Sequence, residues 1–335
     1  MLAGWGGWGA AGLSQIFDEG RSDHAEDRAR LRSLLSETEY QEARRTTINA
    51  HYTDPALVAA IWQTVTNLGF TGGRVLEPGC GSGTFIGAAP AGVEMIGVEL
   101  DPVTAGIAAA LYPQATIRAE SFAATRLPAG FVDATVGNVP FGDVVLVDPL
   151  YNQQRLAMHN HFIVKSLALT RPGGLVAVIT SRYTMDAVNP AARRAMHERA
   201  DLVGAVRLPN GAHRRTAGTE VTTDLLIFRV REPGQDRGEQ APDWLMSRDQ
   251  TFTAPDGQVL TQPVNDYYTA NPARVLGEHV ARTGPYGLGL EVDGPVGDQL
   301  AIELTAQLGQ ITAAAYRDHL TWQPAPAGPG PVLAG

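Results

Sequence analysis

Cysteine is nearly absent from this 335-residue chain: Cys80 stands alone. A disulfide framework is thereby excluded, and so is a zinc site built on cysteines. No run of about 18 apolar residues occurs, so nothing reads as a membrane-spanning helix. The Gly- and Trp-rich start lacks the basic stretch and apolar core of a secretory signal. The expected compartment is the cytoplasm. Also missing is the Gly-Lys-Ser/Thr of a P-loop, and the glycines at 79, 81 and 83 are spaced Gly-x-Gly-x-Gly, not the Gly-x-Gly-x-x-Gly of a dinucleotide turn. Positive charge is short: 26 Lys and Arg face 35 Asp and Glu, for a net charge of −9. No internal repeat is found. With 44% apolar residues, the chain can build one large α/β domain with extensions, or two small ones.

Against these absences stands one glycine-dense stretch, Arg74-Val-Leu-Glu-Pro-Gly-Cys-Gly-Ser-Gly-Thr-Phe85. It reads as a strand, a turn and a helix. Gly79, Gly81 and Gly83 let the backbone take positive φ and approach a ligand closely. Nucleotide-type cofactors lie at such turns, at the carboxyl ends of parallel strands. Glu77 ends the strand and would repel a phosphate. A cofactor without phosphate that carries cations fits better, and S-adenosylmethionine, with its sulfonium and ammonium, is such a molecule. Cys80 reads as a small residue that fits the turn. Val93–Leu100 forms the next strand, and Glu99 follows Glu77 by 22 residues. At that spacing a carboxylate reaches ribose hydroxyls in doubly wound sheets. Asp101-Pro102 starts an Ala-rich helix, so Asp101 is a cap, a cofactor contact, or both.

The second informative stretch is Asn138-Val-Pro-Phe141, at the end of the β-branched run from Phe131. An exocyclic aromatic amine is a poor nucleophile because its lone pair is delocalised. The Asn138 side-chain oxygen and the Val139 carbonyl can each accept one N–H. That draws the nitrogen toward tetrahedral geometry. Pro140 stiffens the turn. Phe141 can stack on a base held out of its helix.

In order, Tyr52-Thr53, Glu77-x-Gly-x-Gly-x-Gly, Glu99 and Asn138-Val-Pro-Phe resemble the gamma-type DNA methyltransferases that make N6-methyladenine. Val139 replaces their usual first proline; the carbonyl survives the change. Gly4-Trp-Gly-Gly7, Thr47–Thr53, Arg171–Gly174, Thr180–Asp186 and Ala217–Asp224 carry a narrower likeness. They resemble the methyltransferase region of very large helicase–methyltransferase proteins of phages, conjugative elements and defence systems. The resemblance implies a Rossmann-like, doubly wound, seven-stranded class I fold of α/β type with an N-terminal helical extension. It also implies S-adenosylmethionine as cofactor, DNA as substrate, and a helicase as a further domain or partner. Asn-x-Pro-Phe/Tyr boxes also serve other planar amides and amines, such as an RNA base or a glutamine. From the family come Tyr52 and Thr53 as contacts near the methionine carboxylate, although Tyr52 could equally pack. Glu120 or Ser121 would meet the cofactor's adenine amino group, with Phe122 beside the ring.

The expected organisation is a Gly/Trp-rich and helical extension over 1–46, a catalytic domain over 47–232, and an extension and linker over 233–335 leading toward a missing helicase. Ser36-Glu-Thr-Glu39 is a capping box. Asp54-Pro55 starts a helix that runs to about Gly69. His159 and His161 open another helix and read as packing residues, since no third ligand is spaced to join them; no metal is expected. Residues 201–208 and 221–230 read as the last two strands, antiparallel around a long loop. Residues 252–262 form a hairpin around Asp256-Gly257, and Ile302–Leu320 a helix. Basic residues gather between Arg193 and Arg215. Arg207, His213, Arg214 and Arg215 are the expected phosphate contacts.

Overall fold

The structure, a computed structural model, describes residues 8, 14–46, 53–213, 221–235, 241–284 and 287–325. Seven strands form one sheet: β1 (Gly73–Pro78), β2 (Val93–Glu99), β3 (Thr116–Ala119), β4 (Val132–Asn138), β5 (Thr170–Ser181), β6 (Ala200–Leu208) and β7 (Thr223–Val230). Their order is β3-β2-β1-β4-β5-β7-β6. All run parallel except β7, which lies antiparallel between β5 and β6. This is the α/β, Rossmann-like seven-stranded architecture expected from the sequence. The order reverses between β1 and β4, which makes the crevice beyond their carboxyl ends the natural ligand site.

The strands are apolar on both faces because helices cover both. Leu175, Ala177 and Ile179 of β5 join one core, while Val176 and Val178 join the other. The first core is closed by α3 (Pro55–Asn67), whose Leu57, Val58, Ile61 and Val65 are buried. The second is closed by α6 (Met158–Leu169), where every residue but Ala168 is buried. Smaller helices are α4 (Thr84–Gly87), α5 (Pro102–Leu111), α7 (Tyr183–Asp186) and α8 (Ala191–His197).

The N-terminal extension is two helices, α1 (Ala25–Leu34) and α2 (Glu37–Thr46). Between them Ser36 N–H donates to Glu39 at 2.7 Å and Glu39 N–H to the Ser36 hydroxyl at 3.3 Å, so the capping box is present. Leu31 and Leu35 pack on Trp8, Phe17 and Tyr40, but Leu34 is exposed.

Beyond residue 232 the chain is more than a linker. It forms the hairpins β8 (Ser247–Thr253)–β9 (Val259–Asn265) and β10 (Glu278–Gly284)–β11 (Gly287–Asp293), then α9 (Asp266–Ala270) and α10 (Gly297–Arg317). Leu300, Leu304, Leu308 and Ile311 of α10 lie in the same core as α3 and the sheet. Fully burying one such side chain contributes about 1.5–3 kcal/mol. Trp322 packs edge-on against Phe70, and its backbone N–H donates to the Leu68 carbonyl. Among the described residues no helix is long and apolar enough to cross a membrane.

Candidate active site

The crevice at the carboxyl ends of β1 and β4 gathers most of the residues singled out by sequence. Gly79, Gly81 and Gly83 have φ of 73°, 54° and 88°, which L side chains rarely adopt. Gly79 and Cys80 donate their N–H groups to the Val98 carbonyl at 2.8 and 3.0 Å, which ties the turn to β2. Gly83 caps α4, and the Trp62 indole donates to the Phe85 carbonyl at 2.9 Å.

Glu99 grips this turn. One of its oxygens accepts the Gly81 N–H at 2.9 Å and the other the Asp101 N–H at 2.9 Å. Asp101 is buried and caps α5, accepting the Thr104 N–H at 3.0 Å, while the Trp8 indole donates to it at 2.9 Å. Its capping role is thereby established. Glu77 is buried under the turn, and its Oε2 has no hydrogen-bond partner among the described residues. Burial pushes the Glu77 carboxyl well above the usual range. The N–H groups of Ile86 and Phe85 oppose that shift, and the charge of Glu99 adds to it. Burial raises Glu99 as well, against the N–H groups of Asp101 and Gly81. Two neighbouring carboxylates, Glu77 buried and Glu99 half-buried, are a site that asks for a cation. The Cys80 thiol is also pushed up by burial, so it is no ready nucleophile.

The acceptor box abuts the glycine turn. A Cβ at Gly79 would lie 3.3 Å from Pro140 Cδ. Val139 donates its N–H to the Ile179 carbonyl at 3.0 Å, which fixes the box to β5. The Asn138 side-chain N–H donates to the Thr53 hydroxyl at 3.1 Å. Thr53 is buried and meets Asn138, a contact that the sequence did not indicate. Phe141 is half-buried against the first core.

Glu120, Ser121 and Phe122 follow β3 on the same side of the sheet. The Glu120 N–H donates to the Glu99 carbonyl at 2.9 Å, and the Glu120 side chain accepts from Arg118 at 2.7 Å. Phe122 is buried, its ring 4.8 Å from that of Phe162.

The basic segment is corrected by the fold. Arg207 is fully buried in β6. Its guanidinium donates to both oxygens of Asp224 at 2.8 and 3.0 Å and to Asp186 at 2.8 Å, and it lies over the Tyr268 ring. No phosphate can reach it. Arg193 is also buried, donating to the carbonyls of Leu245, Thr184 and Ala187. Tyr52, Arg214 and Arg215 lie outside the described residues. For His213 only the backbone is described, at the end of a 3-10 turn.

Sequence reading passed over Asp148 and Lys165 and took His161 as a packing residue; the three form a fully buried cluster, in which Lys165 donates to Asp148 at 2.9 Å and the His161 ring nitrogen lies 3.1 Å from the same oxygen. The available signal was that Lys165 is the only lysine in the chain and sits in an apolar helical run. Among the described residues, no group of three or more His, Cys, Asp or Glu is arranged to hold a metal.

No family model matches the chain. It is 28% identical over 188 residues to Defense against restriction protein B of Escherichia phage P1; the match covers 54% of this chain and 8% of the phage protein. The chain therefore spans less than a tenth of that relative's length. Among solved structures, a candidate class I S-adenosylmethionine-dependent methyltransferase from Listeria monocytogenes superposes with a TM-score of 0.47 at 12% identity, over 68% of this chain and 80% of that one. The modification subunit of a candidate type I restriction enzyme from Vibrio vulnificus gives 0.46 at 18% identity, over 80% and 64%.

Proposed function

We propose that this chain binds S-adenosylmethionine in the crevice between β1 and β4 and transfers its methyl group to the N6 amino group of adenine in DNA. The observation that carries the reading is the contact of the two motifs. The glycine turn that would hold the donor lies against the Asn-Val-Pro-Phe box that would hold the acceptor, so close that a Cβ added at Gly79 would meet Pro140 at 3.3 Å.

The residues present fit the cofactor. Glu77, buried, and Glu99, half-buried, are carboxyls whose charged form a cationic ligand would restore, and Glu77 Oε2 has an acceptor to spare. Each Glu99 oxygen keeps a second lone pair for a ribose hydroxyl. When bound, the cofactor supplies an electrophilic methyl group on a sulfonium. The protein's part is to prepare the nitrogen. The Asn138 side-chain N–H donates to Thr53, and its oxygen would accept an N–H from the acceptor. The Val139 carbonyl accepts the second N–H, and Phe141 stacks on the base. The nitrogen then gains a carbon and gives up one proton to solvent.

The name of the phage relative supports a role in an antirestriction or defence system. A helicase of the same system is the proposed partner. The test is transfer of a labelled methyl group to adenine-containing DNA, with RNA and protein offered in parallel, beside calorimetric cofactor binding. Asn138→Ala is expected to lower the rate about 10²–10³-fold, as loss of a transition-state hydrogen bond does, with cofactor affinity unchanged. Equal rates in mutant and wild type would reduce the box to a turn. Labelling of RNA or protein instead of DNA would redirect the acceptor. Cofactor binding without transfer would leave a binding module.

A further inference from the structure

Lys165 is the only lysine among 335 residues, and its side chain is completely buried. Its ammonium donates to the carbonyls of Phe122 at 2.6 Å, Thr125 at 3.1 Å and Ala123 at 3.3 Å, and to the Asp148 carboxylate at 2.9 Å. It also lies 4.9 Å from the centre of the Phe122 ring and 5.3 Å from that of Tyr151. Several acceptors around one point suit a compact ammonium and not a planar guanidinium.

These partners come from two walls of the crevice. Residues 120–125 follow β3 and are fastened to Glu99, the residue that grips the glycine turn. Asp148 stands ten residues beyond Asn138, in the segment that leaves the acceptor box. That segment is organised around it: the Leu150 and Tyr151 N–H groups point to Asp148 at 3.2 and 3.3 Å, and His161 backs it from α6. Phe162, next on the same helix, packs tilted against Phe122 and would lie 3.8 Å from a Cβ at Gly79. A buried ion pair is poor value for stability alone, since apolar replacements of such pairs are often neutral or stabilising. Its geometric specificity is a better reason for its place here.

We propose that Lys165 is a positioning residue that bolts the wall after β3, where the cofactor's adenine would lie, to the segment leaving the acceptor box. This rests on the cofactor reading above. Lys165 touches neither ligand; it acts through the backbone of residues 122–125.

Two measurements test it. The first is the double variant Lys165→Met/Asp148→Asn, which removes the cation and the carboxylate charge together. We expect it to melt within a few degrees of wild type but to bind S-adenosylhomocysteine at least tenfold more weakly by calorimetry. Affinity within twofold of wild type overturns the proposal. The second needs no mutation and decides the matter if the variant fails to fold. Wild-type protein with ¹³C at the lysine ε-carbon gives a single lysine signal, because there is a single lysine. On titration with S-adenosylhomocysteine that signal should shift and saturate with the calorimetric binding curve. A signal that stays in place at saturation overturns the proposal. Wild type that binds no ligand at all fails the cofactor reading instead.

Discussion

At the scale of single residues, the crevice is defined by carboxylates that the fold leaves uncomfortable. Glu77 and Glu99 are both raised, chiefly by burial. A raised carboxyl means that the folded protein holds its proton more tightly than the unfolded chain does. Its contribution to stability is therefore greatest below the ordinary carboxylate range and is lost as pH rises through the raised folded value. A cation in the crevice offsets that loss. The rise in melting temperature caused by S-adenosylmethionine should thus grow as pH increases above the ordinary carboxylate range, and Glu77→Gln should flatten the trend. A pH-independent gain would mean that the ligand's cations lie away from these groups. The residue types and their spacing were legible in the sequence. Their partners were not, because they depend on register. Arg207 and Asp224 are 17 positions apart yet directly opposed across β6 and β7. An arginine and an aspartate on antiparallel apolar strands become a buried pair only once that register is known.

At the scale of elements, local rules held where chemistry is local. The caps at Asp54 and Asp101, the box at Ser36–Glu39 and the hairpin around Gly257 all follow from neighbours within four residues. The glycine turn was legible as a turn; its contact with Pro140 needed the β1–β4 pairing. That contact separates two roles of glycine. Gly79 and Gly92 both have positive φ, 73° and 83°, but a Cβ meets Pro140 at Gly79 and nothing within 4 Å at Gly92. Alanine at either position should cost about 1–2 kcal/mol of stability through left-handed backbone strain. Gly79→Ala alone should also push the acceptor box away from the turn and slow methyl transfer by tenfold or more, given how steeply rates fall with misplacement. Chemical denaturation and a transfer assay on both variants check this. A rate loss as large in Gly92→Ala would show that strain, not the box, is responsible.

At the scale of the whole molecule, the fold redistributes charge in a way that composition conceals. The count of −9 already opposes DNA, and burial deepens it. Among the described residues the interior takes in Lys165 and the arginines at 171, 182, 193, 207, 229 and 231, against only five carboxylates. Among the described residues, burial thus removes more positive than negative charge from the surface. The basic cluster read from residues 193–215 loses Arg193 and Arg207 to the core, where Arg193 ties α8 to α7 and to Leu245, and Arg207 ties β6 to β7, α7 and His279 of β10. Sequence could not show this, because a solvated basic face and a set of buried arginine clamps have the same composition. The consequence for function is quantitative. Each phosphate neutralised adds about 0.9 to the slope of log affinity against log salt. With its outward arginines outnumbered by acids, the isolated chain should bind duplex DNA weakly, with a slope no steeper than about −3. The strong phosphate grip would then belong to a partner such as the proposed helicase. Fluorescence anisotropy of labelled duplex across a salt series reads the slope directly. A slope near −6 or beyond would locate a concentrated cationic face on this chain itself. Arg194 and Arg199, exposed on and just after α8, would then be the first side chains to neutralise.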